Sequence, residues 1–203
     1  MGTIIEAAGW PIWFIIAASV ISLAIILERL FSLRSETVVP RALLANTIEA
    51  WKQGGDSDPF IQYLTQHSPL GQVFAAGLRN AVYSREVMKE AIEDEARLVG
   101  HQLERFLTSL GTIASMAPLL GLLGTVIGMI ELFGAQGPTG TSPNQLAHGI
   151  SVALYNTAFG LIVAVPSMIF YRHFRARVDA LLVEMETQAI KLVELLHGER
   201  NHT

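Results

Sequence analysis

The chain has 203 residues, of which 51% are apolar and 16% charged, against about 25% charged in a typical soluble domain. That balance makes it a membrane-protein candidate before any motif is read. A formal charge of -4 without a long basic run excludes a tracker of nucleic-acid phosphates, and the lack of cysteine excludes a disulfide framework, a thiol nucleophile and a cysteine metal site.

In chain order, residues 1–9 form a short N-terminal segment with Glu6 as its charged group, and "WPIWFIIAASVISLAIIL" at 10–27 is the first apolar run. About 20 helical residues cross the hydrocarbon layer. The run carries no charge, and Trp10 and Trp13 suit an interfacial position. A signal peptide would need a positive n-region, so a transmembrane helix is expected instead.

Residues 28–109 read as a cytoplasmic helical domain, with short helices at about 40–53, 60–66 and 70–82 separated by "GGDSDP", "HSP" and "AVYS". Ser84 suits an N-cap, with Glu86 and Glu90 near the positive end of the helix that follows. There Met88, Ile92, Glu95, Val99, Leu103, Phe106 and Leu110 keep helical spacing into the next span without a stop signal. The pattern predicts one helix from Arg85 to Phe133, 49 residues and about 70 Å long. The acidic run Glu86, Glu90, Glu93, Asp94 and Glu95, partly neutralised by Arg85, Lys89 and Arg97, reads as a solvated face, with a docking surface as the alternative.

The second span is expected at 110–133, a loop at 134–145 and the third span at 146–171. The tail, 172–203, carries Phe174, Val178, Leu181, Met185, Gln188, Leu192 and Leu195 at alternating four and three, a coiled-coil-like seam. Arg29, Arg34 and Arg41 follow the first span and Arg172, Arg175 and Arg177 the third, whereas residues 134–147 hold neither Lys nor Arg. Positive charge marks the cytoplasmic side, so the N-terminus and the 134–145 loop are expected in the periplasm and the C-terminus in the cytoplasm.

Span two sets Gly111, Ala114, Pro118, Gly121, Thr125 and Gly128 on one face, and span three sets Gly149, Ala153, Asn156, Gly160, Ala164 and Ser167 likewise. In lipid such faces let backbones approach; Gly124-xxx-Gly128 is a short instance. They are packing seams on the simplest reading, and a functional reading adds that Thr125, Tyr155 and Thr157 line a narrow lumen. Pro118 and Pro166 are candidate kinks. The three spans hold no Asp, Lys or Arg, and Glu131 and His148 lie near outer ends. A proton path needs a mid-membrane ionisable group, so if the chain belongs to a proton-driven device another subunit must supply that group, with Glu131 a candidate entrance group. No Gly-rich phosphate loop, HExxH or GxSxG occurs, and an enzyme is not expected.

"LGTIASMAPLLGLLGTVIGMIELF" at 110–133 together with "GISVALYNTAFGLIVAVPSMIFYRHF" at 149–174 resembles the proton-channel family of ExbB, TolQ and MotA, most nearly a short ExbB, and the likeness covers essentially the whole chain. The resemblance implies an all-α inner-membrane protein of a Gram-negative bacterium with three transmembrane helices. It implies a pentamer around a central pore that encloses an ExbD-like dimer, whose transmembrane Asp carries protons, and a TonB-like protein that passes the movement to outer-membrane receptors importing iron chelates and similar cargo. Thr125 and Thr157 match the family's pore-facing threonines, and Tyr155 and Asn156 adjoin them. Many ExbB and TolQ members have Glu where Val152 stands in "GISVAL", so a Glu relay on this wall is replaced by Tyr155, Asn156 and water or is not needed. The alternatives are a TolQ-like role in envelope maintenance and a non-conducting membrane scaffold. No cofactor or metal is expected.

Overall fold

A computed structural model describes residues 9–53, 58–134 and 143–197. Most of the expected N-terminal segment and of the 134–145 loop, part of the "GGDSDP" break and the last residues of the tail lie outside the described residues. Among the described residues all regular structure is helical. The helices are α1 (Pro11–Ser32), α2 (Ser35–Val38), α3 (Leu43–Lys52), α4 (Asp58–His67), α5 (Pro69–Arg79), α6 (Arg85–Leu103), α7 (Leu107–Gly134) and α8 (Pro143–Leu196). Three stretches are long and apolar enough to cross a membrane, with mean hydropathy 2.2, 2.0 and 1.7, yet only 28%, 22% and 28% of their apolar windows are buried. The remainder needs lipid or other helices against it.

The predicted unbroken helix from Arg85 to Phe133 is not what forms. The chain turns at Glu104–Phe106, with Phe106 at φ +66°, a left-handed conformation that costs an L-residue about 1–2 kcal/mol. Polar bonds from distant segments hold the turn. Arg29, 5% exposed, donates from Nη1 to the Leu103 carbonyl at 3.1 Å, which caps α6 where carbonyls lack partners and the dipole favours a cation. Arg175 pairs with Glu104 at 3.0 Å. The turn rotates the apolar stripe: Phe106 is exposed and Leu107 takes its place inside.

By contact the chain falls into two compact units. The first contains residues up to Glu28 and Phe106–His173. Its centre joins Ile15 of α1, Ala117 of α7 and Val163 and Ala164 of α8, with Ile113 and Leu120 against them. Ser22 and Ser167, both buried, hydrogen-bond at 2.6 Å, and Ser167 also donates to the Val163 carbonyl. Both α7 and α8 continue through their prolines, Pro118 and Pro166.

The second unit contains Arg29–Arg105 and the chain from Phe174 on. Ser68 caps α5 by accepting from the Gly71 N–H, with Pro69 at the first helical position. A Cβ at Gly71 would collide with the Leu64 carbonyl, so α4 and α5 meet there backbone to backbone. Ser84 caps α6 through the Val87 N–H, and Glu86, Glu90, Glu93 and Asp94 are solvent-exposed as a charged face. The last part of α8 does not follow the predicted seam throughout. Phe174, Val178, Leu181, Met185, Ala189 and Leu192 are buried, while Gln188 and Leu195 are only half-buried. A strict seven-residue seam drifts about 20° per heptad around a straight helix, and after Met185 the buried line moves to Ala189. A Cβ added at Gly100 of α6 would lie 3.5 Å from the Leu182 methyls of α8, an ordinary packing distance.

Candidate functional site

The small-residue stripes of α7 and α8 face each other within one protomer. A Cβ added at Gly121 would lie 2.6 Å from the Asn156 carbonyl oxygen and 2.9 Å from Thr157 Cα, and one at Gly160 would lie 2.6 Å from the Ala117 carbonyl oxygen. Those distances are below any real carbon contact, so both positions need hydrogen for a side chain. Gly124 makes room for Asn156, whose Cβ and Cγ would lie 2.8 Å from a Cβ there; Gly128 stands opposite Ala153. Close approach of this kind supplies the contact energy that lipid withholds.

That approach positions two hydroxyls. Thr125 Oγ1 lies 2.6 Å from Thr157 Oγ1, 3.2 Å from the Gly121 carbonyl and 3.1 Å from the Ala153 carbonyl. Each hydroxyl has one proton to donate. All three contacts hold a proton only if Thr125 shares its own between the two carbonyls and Thr157 donates to Thr125. With the direction assigned from the network in this way, the Thr157 oxygen keeps its lone pairs for a donor outside the hairpin.

The other predicted residues are distributed around this pair. Asn156 is 1% exposed, against Gly124, whereas the neighbouring Tyr155 is 41% exposed. Glu131 and His148 are exposed and line one cavity of about 300 Å3, together with Val152, Asn156, Gly124 and Gly128. The cavity thus joins Glu131 and His148 to Asn156, which is next in sequence to Thr157. Val152 adds an apolar wall. Among the described residues no three His, Asp or Glu side chains gather as a metal set.

Two polar features escape sequence reasoning. Ser22 is one of two hydroxyls in an otherwise apolar run, and nothing in its spacing indicates Ser167 as partner. Arg29 counts as a topology marker in sequence, yet its guanidinium is buried on the end of α6.

Comparison with known proteins identifies the family to which these helices are similar. The pattern of the MotA/TolQ/ExbB proton channel family matches residues 65–187. The biopolymer transport protein exbB1 of Vibrio cholerae is 34% identical over 78% of this chain and 71% of its own length. The biopolymer transport protein ExbB of Aquifex aeolicus is 34% identical over 62% of this chain and 79% of its own. The Tol-Pal system protein TolQ of Pseudomonas aeruginosa is 29% identical over 90% of this chain and 84% of its own.

Proposed function

Because the chain belongs to the MotA/TolQ/ExbB proton channel family, we propose that it is the inner-membrane stator or channel subunit of an ExbB–ExbD-type motor. Driven by the proton-motive force, the motor energises TonB-dependent transport across the outer membrane. The observation that carries this reading is the Thr125–Thr157 hydroxyl pair, set in spans without an Asp, Lys or Arg. A wall with oriented hydroxyls and no proton carrier of its own suits an acid supplied from outside. That acid is the transmembrane Asp of an ExbD-like subunit, enclosed by five copies of this chain, and a TonB-like protein takes up the movement. Thr125, Tyr155, Asn156 and Thr157 form the proton pathway, with Glu131 at its outer entrance, the N-terminus in the periplasm and the C-terminus in the cytoplasm.

Proton flux into vesicles holding the chain with and without its ExbD-like partner tests the reading. Flux that needs both subunits and falls in Thr157→Val, with the oligomer intact by native mass spectrometry, supports it. No flux in either preparation leaves only a scaffold. A Tol-Pal role is the second reading, favoured by the TolQ relative's alignment over 90% of the chain. Complementation separates the two: restored chelate uptake in a strain lacking ExbB supports the first, and restored envelope integrity in a strain lacking TolQ the second.

A further inference from the structure

α1 ends at Ser32, and the chain turns at once into a stretch rich in guanidinium groups. Arg34, Ser35, Glu36, Val39 and Arg41 enclose a cavity of about 270 Å3 with Arg177 of α8. Three guanidinium groups therefore line it against one carboxylate, Glu36. Ser35 Oγ donates to Glu184 Oε2 at 3.3 Å, so that second acid is engaged outside the lining. Among the described residues none of the three arginines forms an ion pair. Arg177 is held in place by its Nε, which donates to the Leu33 carbonyl at 3.3 Å and leaves the terminal N–H groups for another acceptor. Arg34 lies over the Phe31 ring, 4.9 Å from its centre.

Three converging cations with one carboxylate among them keep an excess of positive charge that a shared anion relieves, and guanidinium forks match phosphate oxygens in pairs. The cavity also has a fixed address, at the end of a helix of mean hydropathy 2.2. On the last turn of that helix Phe31 is 61% exposed and Leu30 41% exposed, so apolar surface adjoins the charged cavity. We propose that this cavity binds the phosphate of an anionic phospholipid, with the acyl chains running along Leu30 and Phe31. Inorganic phosphate offers the same oxygens to the arginines, but it has no use for the adjoining apolar surface.

The test uses the full-length complex, purified in detergent and stripped of lipid. It is offered equal amounts of phosphatidylglycerol and phosphatidylcholine, and the retained lipid is read by native mass spectrometry. The wild type is expected to retain phosphatidylglycerol preferentially. The preference should fall about fivefold per arginine removed in Arg34→Gln and Arg41→Gln, singly and together. Both side chains are exposed, so the fold should survive, which circular dichroism checks; Arg97→Gln, outside the cavity, should retain the preference. Equal retention of the two lipids by the wild type, or an equal loss in Arg97→Gln, would overturn the proposal. Displacement of phosphatidylglycerol by millimolar inorganic phosphate would assign the cavity to free phosphate and overturn the lipid assignment.

Discussion

Thr125 and Thr157 hold their hydroxyl oxygens 2.6 Å apart across the α7–α8 seam, and Thr125 also reaches the carbonyls of Gly121 and Ala153. Thr125 is thereby anchored to two helices, and its partner's proton is spent on it. With Thr157 donating to Thr125, the Thr157 oxygen keeps its lone pairs, and on the proposed pathway that acceptor would favour a neutral acid over a carboxylate.

Replacing Thr157 by Val keeps the shape and removes the acceptor. Proton flux with the partner subunit should fall about tenfold to a hundredfold, the equivalent of one strong hydrogen bond. On the proposed pathway the protonated form of the partner's acid would lose its bond, so the pH midpoint of the residual flux should move down. An upward move would mean that Thr157 donates. Thr157→Ser should restore both flux and midpoint.

Gly121→Val places carbon against the Asn156 carbonyl and the Thr157 Cα, neither of which is a flexible side-chain end. A loss of about 1–3 kcal/mol is expected from such overpacking, read by thermal unfolding in detergent. Gly134→Ala is the control, because nothing lies within 4 Å of its Cβ. It should unfold like the wild type.

Ser22 and Ser167 make a buried bond between α1 and α8. Interhelical hydrogen bonds of this type in membranes average about 0.6 kcal/mol. A double-mutant cycle with Ser22→Ala and Ser167→Ala should return a coupling of that size. Additive losses would show that the contact contributes nothing of its own.

Arg29→Met should destabilise the α6 terminus by about 1–3 kcal/mol, because the Leu103 carbonyl loses a charged donor. Hydrogen exchange should then quicken around residues 100–107. Glu104→Gln tests the neighbouring pair with Arg175, half-exposed at the arginine; as a surface ion pair it should change stability by less than about 1 kcal/mol.

Glu86 is fully exposed, and its carboxyl is held below the usual 4.5, first by a backbone N–H and then by the Ser84 hydroxyl. A depressed carboxylate stabilises the fold above its unfolded pKa, and that contribution disappears as pH falls through the folded value. Amide protection in the first turn of α6 should therefore decline on acidification below the usual value. Glu86→Gln should remove the decline.

Much of this was readable from local properties. The low charge content and the apolar runs identify a helical membrane protein, because length and hydropathy decide what can cross a bilayer. The small-residue stripes could be read as seams from three- and four-residue spacing, and Ser68 and Ser84 cap because a hydroxyl beside free N–H groups acts within its own turn. Tertiary structure alone decided the turn at Glu104–Phe106, for which the sequence has neither Gly nor Pro and which depends on Arg29 and Arg175 from far along the chain. It alone paired Ser22 with Ser167, set Asn156 against Gly124, and gathered Arg34, Arg41 and Arg177 into one cavity. Periodicity tells which residues share a face; which residue of another helix meets that face depends on axial register, set by the packing of the whole helix pair.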